Sequence, residues 1–355
     1  MRSKRLTSVV FGLLFAGQLL LAACGGTSDA EPYEIHLPVP TSVVSLESEL
    51  IGSPTYIDLD QSGRVWIADV QSRRVLVVNP DGSGARFIGR EGQGPGEFRL
   101  PVRIAARDSV IRVVDAGNSR IQSYHLDGTH VGDQLLPDPM IGGGALLDNG
   151  RIIVPTSGQH DALVRIYSDG RSTPIAIGAP IVPPTGWNFV AMKAEIADGR
   201  VPDQFRNTVT PVPSRGGTIW LLVQTEAEVR KYSETGELIW IRTLEVPEVN
   251  AAYREFLHRN AAEPDPSVIV PLTTMAAARE VNGRLWVLMR AESESNTAVF
   301  YTLDGESGEI LGRLSVDVPA AGGQFVVDSE VGVLYLAVPS EASILAIDVT
   351  EVLRR

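Results

Sequence analysis

The 355-residue sequence contains a single cysteine, Cys24, so no disulfide can form within the chain and a hydrophobic core must hold the fold together. Histidine is scarce as well: His36, His125, His130, His160 and His258 are all there are. Only His125 and His130 fall at a short ligand spacing. They flank the Asp127-Gly128 turn and read as solvated hairpin residues, which leaves a histidine-bound zinc centre little to build on. Positive charge is outweighed, with 31 Lys+Arg against 43 Asp+Glu and a formal net charge of −12. Such a surface repels nucleic acid, and no nucleic-acid partner is expected. No Gly-x-Ser-x-Gly elbow occurs, and Ser157-Gly158-Gln159-His160 is too local to assemble a triad by itself, so no catalytic residue is assigned. The glycine-rich stretch Gly89 to Gly96 lacks the Lys-Ser/Thr pair and the following helix that a phosphate cradle requires. Apolar runs beyond residue 23 are cut by Gly, Pro or charge within about ten residues, short of a membrane span.

The exception is the N-terminus. Arg2, Lys4 and Arg5 precede an uncharged run from Val9 to Ala23, too short to span comfortably where roughly 20 residues are needed, but sized for a signal-peptide core. Its end, Leu21-Ala22-Ala23-Cys24, resembles the lipobox of bacterial lipoproteins, in which the thiol is lipidated and the preceding peptide removed. The resemblance implies a signal peptide over 1–23, a lipid on Cys24 and a membrane as first partner. The absence of Asp after the cysteine resembles an outer-membrane lipoprotein, facing the periplasm or the cell surface. A tether is expected over 24–40, with the folded body over 41–355.

That body repeats itself. Gly63, Gly150, Gly217, Gly283 and Gly332 each precede a short run rich in β-branched and aromatic residues, and Ser109 holds the same place in RDSVIRVVD. A second turn follows the first five anchors, at Asp81-Gly82, Asp127-Gly128, Asp169-Gly170, Thr235-Gly236 and Asp304-Gly305, always 19 to 22 residues on. Paired hairpin turns at a fixed offset describe a four-stranded antiparallel meander, and six copies predict an all-β, six-bladed propeller. The last unit has only three strand-like runs. The unpartnered segment Thr41 to Leu46 supplies the fourth, closing the ring and removing an open edge.

At the second unit, VVDAGNSRIQSYHLDG (Val113 to Gly128), with the preceding GREGQGPGEFRLP (Gly89 to Pro101), is similar to the NHL repeat and to bacterial six-bladed NHL-like propeller lipoproteins. The first unit, VWIADVQSRRVLVVNPDG, follows the same outline. Gly94-Pro95-Gly96 suits a tight turn, placing Phe98 to fill the wedge between blades. Asp69 with Arg74, and Asp115 with Asn118 and Arg120, set the loops between second and third strands.

In such a meander the loop from strand two to strand three and the connection to the next blade emerge on the same side. Two long insertions therefore share one face: 179–208, with Trp187, Phe189, Met192 and Phe205, and 246–270, whose AAYREFLHRNAA is helical in composition and spacing. One reading packs their apolar residues into a lid. The other makes a recognition surface of Arg74, Arg120, His160, Asp161, Trp187, Tyr253 and Arg290, around the mouth of the channel. Propellers host both enzymes and interaction modules. The chain reads as a binder of a protein, peptide or glycan, with no cofactor and no metal. The alternative is a metal-dependent lactonase or lyase using channel carboxylates such as Asp58, Glu280 and Asp328.

Overall fold

A strand buried at every position must be covered on both faces. Val65–Asp69 is such a strand, and its period-two alternation sends Val65 and Ile67 into one cluster and Trp66 and Ala68 into another. The computed structural model describes residues 31–45, 50–107, 109–136, 144–147, 150–168, 173–214, 216–292, 295–318 and 323–355. Cys24 and the expected signal peptide lie outside them.

Two short strands come first, β1 (Tyr33–His36) and β2 (Thr41–Val44). Blade 1 is β3 (Pro54–Leu59), β4 (Val65–Asp69), β5 (Arg74–Val78) and β6 (Arg86–Ile88). A parallel pair, β7 (Arg90–Glu91) and β8 (Glu97–Phe98), leads into blade 2: β9 (Pro101–Arg107), β10 (Val110–Asp115), β11 (Arg120–His125) and β12 (His130–Leu135). Blade 3 is β13 (Ala145–Leu146), β14 (Ile152–Pro155), β15 (Val164–Tyr167) and β16 (Ile175–Ile177). Helix α1 (Phe189–Ala197) precedes blade 4: β17 (Val209–Pro213), β18 (Ile219–Val223), β19 (Glu228–Tyr232) and β20 (Leu238–Thr243). Helix α2 (Pro247–Ala262) precedes blade 5: β21 (Met275–Val281), β22 (Arg284–Met289), β23 (Thr297–Asp304) and β24 (Ile310–Asp317). Blade 6 holds β25 (Phe325–Asp328), β26 (Val333–Val338) and β27 (Ser343–Asp348), followed by α3 (Thr350–Arg354).

Each blade is an antiparallel meander in sequence order, and β2 completes the sixth by pairing antiparallel with β27, Thr41 opposite Ala346. The protein is a six-bladed β-propeller closed by an N-terminal strand. Six apolar clusters fill the wedges between successive blades, the last joining blade 6 to blade 1 through Val44, Tyr335, Ile344, Ile57 and Ile67. Phe98, fully buried, lies in the wedge between blades 1 and 2 with its ring centroid 6.0 Å from that of Tyr124. The first-turn glycines 63, 150, 217, 283 and 332 all take positive φ, the left-handed conformation these hairpins demand.

The N-terminal segment differs from the tether read over 24–40. β1 pairs parallel with β24 as a fifth strand on blade 5, and Leu37 behind it is buried. Sequence alternation over four residues is too short to reveal this strand. Its seat is specific: Tyr33 Oη lies 2.7 Å from Thr302 Oγ1, and Arg313 donates to Glu34 at 2.8 Å. A Cβ on Gly312 would lie 2.1 Å from the Tyr33 ring.

Candidate functional site

Both insertions join the outer strand of one blade to the inner strand of the next, so they leave on the same face as the loops between second and third strands. They pack on each other rather than straying into solvent. Met192, Ile196 and Phe205 from the first meet Phe256 from the second, and Leu272 just beyond it, in a small separate core, with Tyr253 and Leu257 half-buried against it. Asn188 caps α1 by accepting from Ala191 N–H at 3.1 Å. α2 begins at Pro247, and Glu248 in its first turn accepts from Tyr301 Oη at 2.9 Å and Arg313 Nη2 at 2.8 Å, pinning the helix to blade 5. Burial first, then the Glu248 carboxylate, push the Tyr301 phenol up to about 12. At the other end, Asn260 donates to Val270 C=O and accepts from Val270 N–H, both at 2.9 Å, which folds the chain back toward β21.

The seven residues read from the sequence fall into three groups. Arg74 and Arg120 both open the third strand of their blades and are used internally. Arg74 stacks 3.6 Å from the Phe87 ring centroid and donates to Leu50 C=O at 3.2 Å. Arg120 is buried and donates to Gly94 C=O at 2.6 Å, Glu97 C=O at 2.8 Å and Asp133 at 2.9 Å, clamping the glycine-rich loop. His160 and Asp161 sit exposed in the loop between β14 and β15, both in left-handed conformation. Trp187, Tyr253 and Arg290 gather around the insertion core. Trp187 is 59% exposed yet stands edge-on to Phe205, centroids 5.8 Å apart, and Phe205 in turn meets Phe256 at 6.4 Å. Tyr253 Oη donates to Thr225 C=O at 3.4 Å, so its role is partly structural. Arg290, at the end of β22, lines a hollow with Phe256 and Arg259, where burial lowers its pKa.

The paired aspartates have a wider role than setting their own loops. Asp69, fully buried, accepts backbone N–H from Gln71 and Ser72 and also from Gly52 (2.8 Å) and Ser53 (3.0 Å), in the connection entering blade 1. Asp115 accepts likewise from Arg99 and Leu100, in the connection entering blade 2. Each carboxylate thus straps an incoming connection to the top of its blade. For Asp69, burial would raise the pKa, but the N–H donors led by Gly52 outweigh it and hold the carboxyl below its ordinary value.

The channel does not fit the metal reading. Asp58 and Glu280 both line the axial cavity, but Asp328 caps its own hairpin, accepting from Glu330 and Val331 N–H. Among the described residues, no three His, Cys, Asp or Glu side chains converge as a metal site would need. His130 is taken up by Asp133 at 2.7 Å, on the face opposite the insertions. Sequence reading named the channel carboxylates and missed Tyr56, Arg103 and Arg279, which share that cavity. The available signal was a cation inside an apolar inner-strand run, in PVRIAA and MAAAREV.

A family model described as a 6-bladed beta-propeller matches residues 42–142, the closing strand and the first two blades. No curated protein sequence matches the chain. Among solved structures, a Bacteroides fragilis protein described as exported is similar at 13% identity and TM-score 0.53, over 89% of this chain and 98% of that one. The WD40 repeats of RRP9 are similar at 7% identity and TM-score 0.51, over 88% and 98%. Virginiamycin B lyase from Staphylococcus aureus is similar at 12% identity and TM-score 0.45, over 84% and 85%. At 13% and 7% identity the first two likenesses show a shared fold alone; the count of six blades rests on this chain's own sheets and on the family model.

Proposed function

We propose that this chain is a lipid-anchored, extracytoplasmic propeller that binds a protein, peptide or glycan through its insertion-bearing face. The observation carrying the reading is that Trp187 and Val190, 59% and 78% exposed, stand with Phe189 on a platform whose underside is a small apolar core. Large side chains held rigid at a surface lose little entropy on binding and dominate interface energetics. Anchoring rests on the lipobox-like Leu21-Ala22-Ala23-Cys24. Among the described residues no helix is long and apolar enough to cross a membrane, so the lipid would be the attachment.

The test uses full-length chain against a cell-envelope extract. Trp187→Ala and Val190→Asp are expected to weaken capture of a partner with the melting temperature kept, by roughly 2 kcal/mol or more for a hot-spot aromatic, while His125→Ala on the opposite face leaves capture intact. Capture undiminished in both insertion variants rejects this face. Cys24→Ser is expected to move the protein from membranes to the soluble fraction, and sedimentation with membranes after a high-salt wash would reject the lipid anchor.

A further inference from the structure

The axis of the disc is lined by inner-strand residues from all six blades around a cavity of about 70 Å³. Into it project Tyr56 from β3, Arg103 from β9, and Arg279 and Glu280 from β21. The two guanidinium carbons lie 5.0 Å and 4.6 Å from the Tyr56 ring centroid, cation–π contacts that hold both cations on one ring. Arg279 donates to Ala278 C=O at 3.1 Å and reaches Ile57 C=O at 3.5 Å. Among the described residues, neither guanidinium forms an ion pair with a carboxylate. Asp58, in the same wall, accepts from Ala106 N–H at 2.9 Å. Glu280 Oε2 is buried with no hydrogen-bond partner.

Two half-buried cations without carboxylate partners and one buried carboxylate oxygen without a donor each carry an uncompensated desolvation cost. One ligand can satisfy all three if it brings anionic oxygens and a hydroxyl proton together. We propose that the channel binds a compact oxyanion that retains an O–H, of hydrogenphosphate type, with Arg103 and Arg279 donating to its anionic oxygens and Glu280 accepting its O–H. Tyr56 reports on the site. Burial would raise its phenol pKa, but Arg279 and Arg103 overcome this and lower it, so an anion between them must push it back up. Cavity size limits the ligand to a group of a few heavy atoms, and the unpartnered Glu280 Oε2 separates hydrogenphosphate from sulfate, which at neutral pH has no proton to give.

The experiment titrates full-length chain with inorganic phosphate and, separately, sulfate at matched ionic strength and neutral pH, by calorimetry. Expected are one phosphate per chain, at least tenfold weaker sulfate binding, loss of phosphate binding in Arg103→Gln and Arg279→Gln, and loss of the phosphate–sulfate discrimination in Glu280→Gln. Should the arginine variants fail to fold, the Tyr56 ¹³Cζ resonance of labelled wild type, assigned by Tyr56→Phe, decides: its pKa must rise with phosphate. No phosphate binding, equal binding of both anions by the wild type, binding retained in folded arginine variants, or an unmoved Tyr56 pKa would each overturn the proposal.

Discussion

Replacing Asp69 by Asn isolates the strap between connection and blade. The carboxylate divides its work: Oδ1 accepts from Ser53, Gln71 and Ser72, while Oδ2 accepts from Gly52 at 2.8 Å. An amide oxygen can take over Oδ1, but the amide NH₂ then faces the Gly52 N–H, donor against donor. The cost is one charge-assisted bond, about 1.5–3 kcal/mol, together with a buried N–H left unsatisfied, about 1–3 kcal/mol. A loss of about 3 kcal/mol at pH 7 is expected, a urea-midpoint shift of about 1 M for a denaturant slope near 3 kcal/mol/M. The pH dependence has a definite sign. Since the folded pKa of Asp69 is lowered, its stabilisation is fully present above the unfolded value of about 3.9 and is lost as pH falls through the folded value. Asn does not titrate, so the gap between wild type and Asp69→Asn must narrow below about pH 4. Urea melts of both proteins at pH 7 and pH 3 measure this. A gap below about 1 kcal/mol at neutral pH, or one unchanged at pH 3, refutes the strap.

Phe98→Ala should cost about 3–5 kcal/mol, the usual range for emptying a large aromatic site, read by thermal and urea melts, because the ring is fully buried between two blades. Deleting Thr41–Val44 should lower the melting temperature of the whole ring, since β27 loses its partner and the buried Val44 is removed; an unchanged melt would mean the sixth blade stands on three strands. Gly312→Ala should evict Tyr33 and expose Tyr33–His36 to proteolysis while the melting temperature moves little, since the clashing atoms belong to a side chain of the docked strand.

Sequence carried the ring because its message is repeated and local. A positive-φ glycine before five of the six second strands, and continuous apolar runs such as IWLLV and VLYLAV, require hairpins buried on both faces. The missing strand of the last unit was legible by counting. Contacts between distant residues were harder: nothing in YEIH announces a parallel partner 279 residues later. At the insertion face, the sequence shows which aromatics are present but not which are spent inward. Phe205 and Tyr253 support the platform, whereas Trp187 remains largely free of it. Arg74 and Arg120 look like ligands in one dimension and prove to be internal ties, because the carbonyls they bind come from other loops.

The clasp between β2 and β27 sets an order of assembly. Its partners lie 305 residues apart at Thr41 and Ala346, and bringing such ends together costs about 5 kcal/mol of chain entropy, against about 1 kcal/mol for a four-residue turn. Hairpins can form as they are made, but the ring cannot shut until β27 exists. Throughout synthesis β2 must wait unpaired until β27 has emerged, so the slowest contact to form is also the one that shuts the ring.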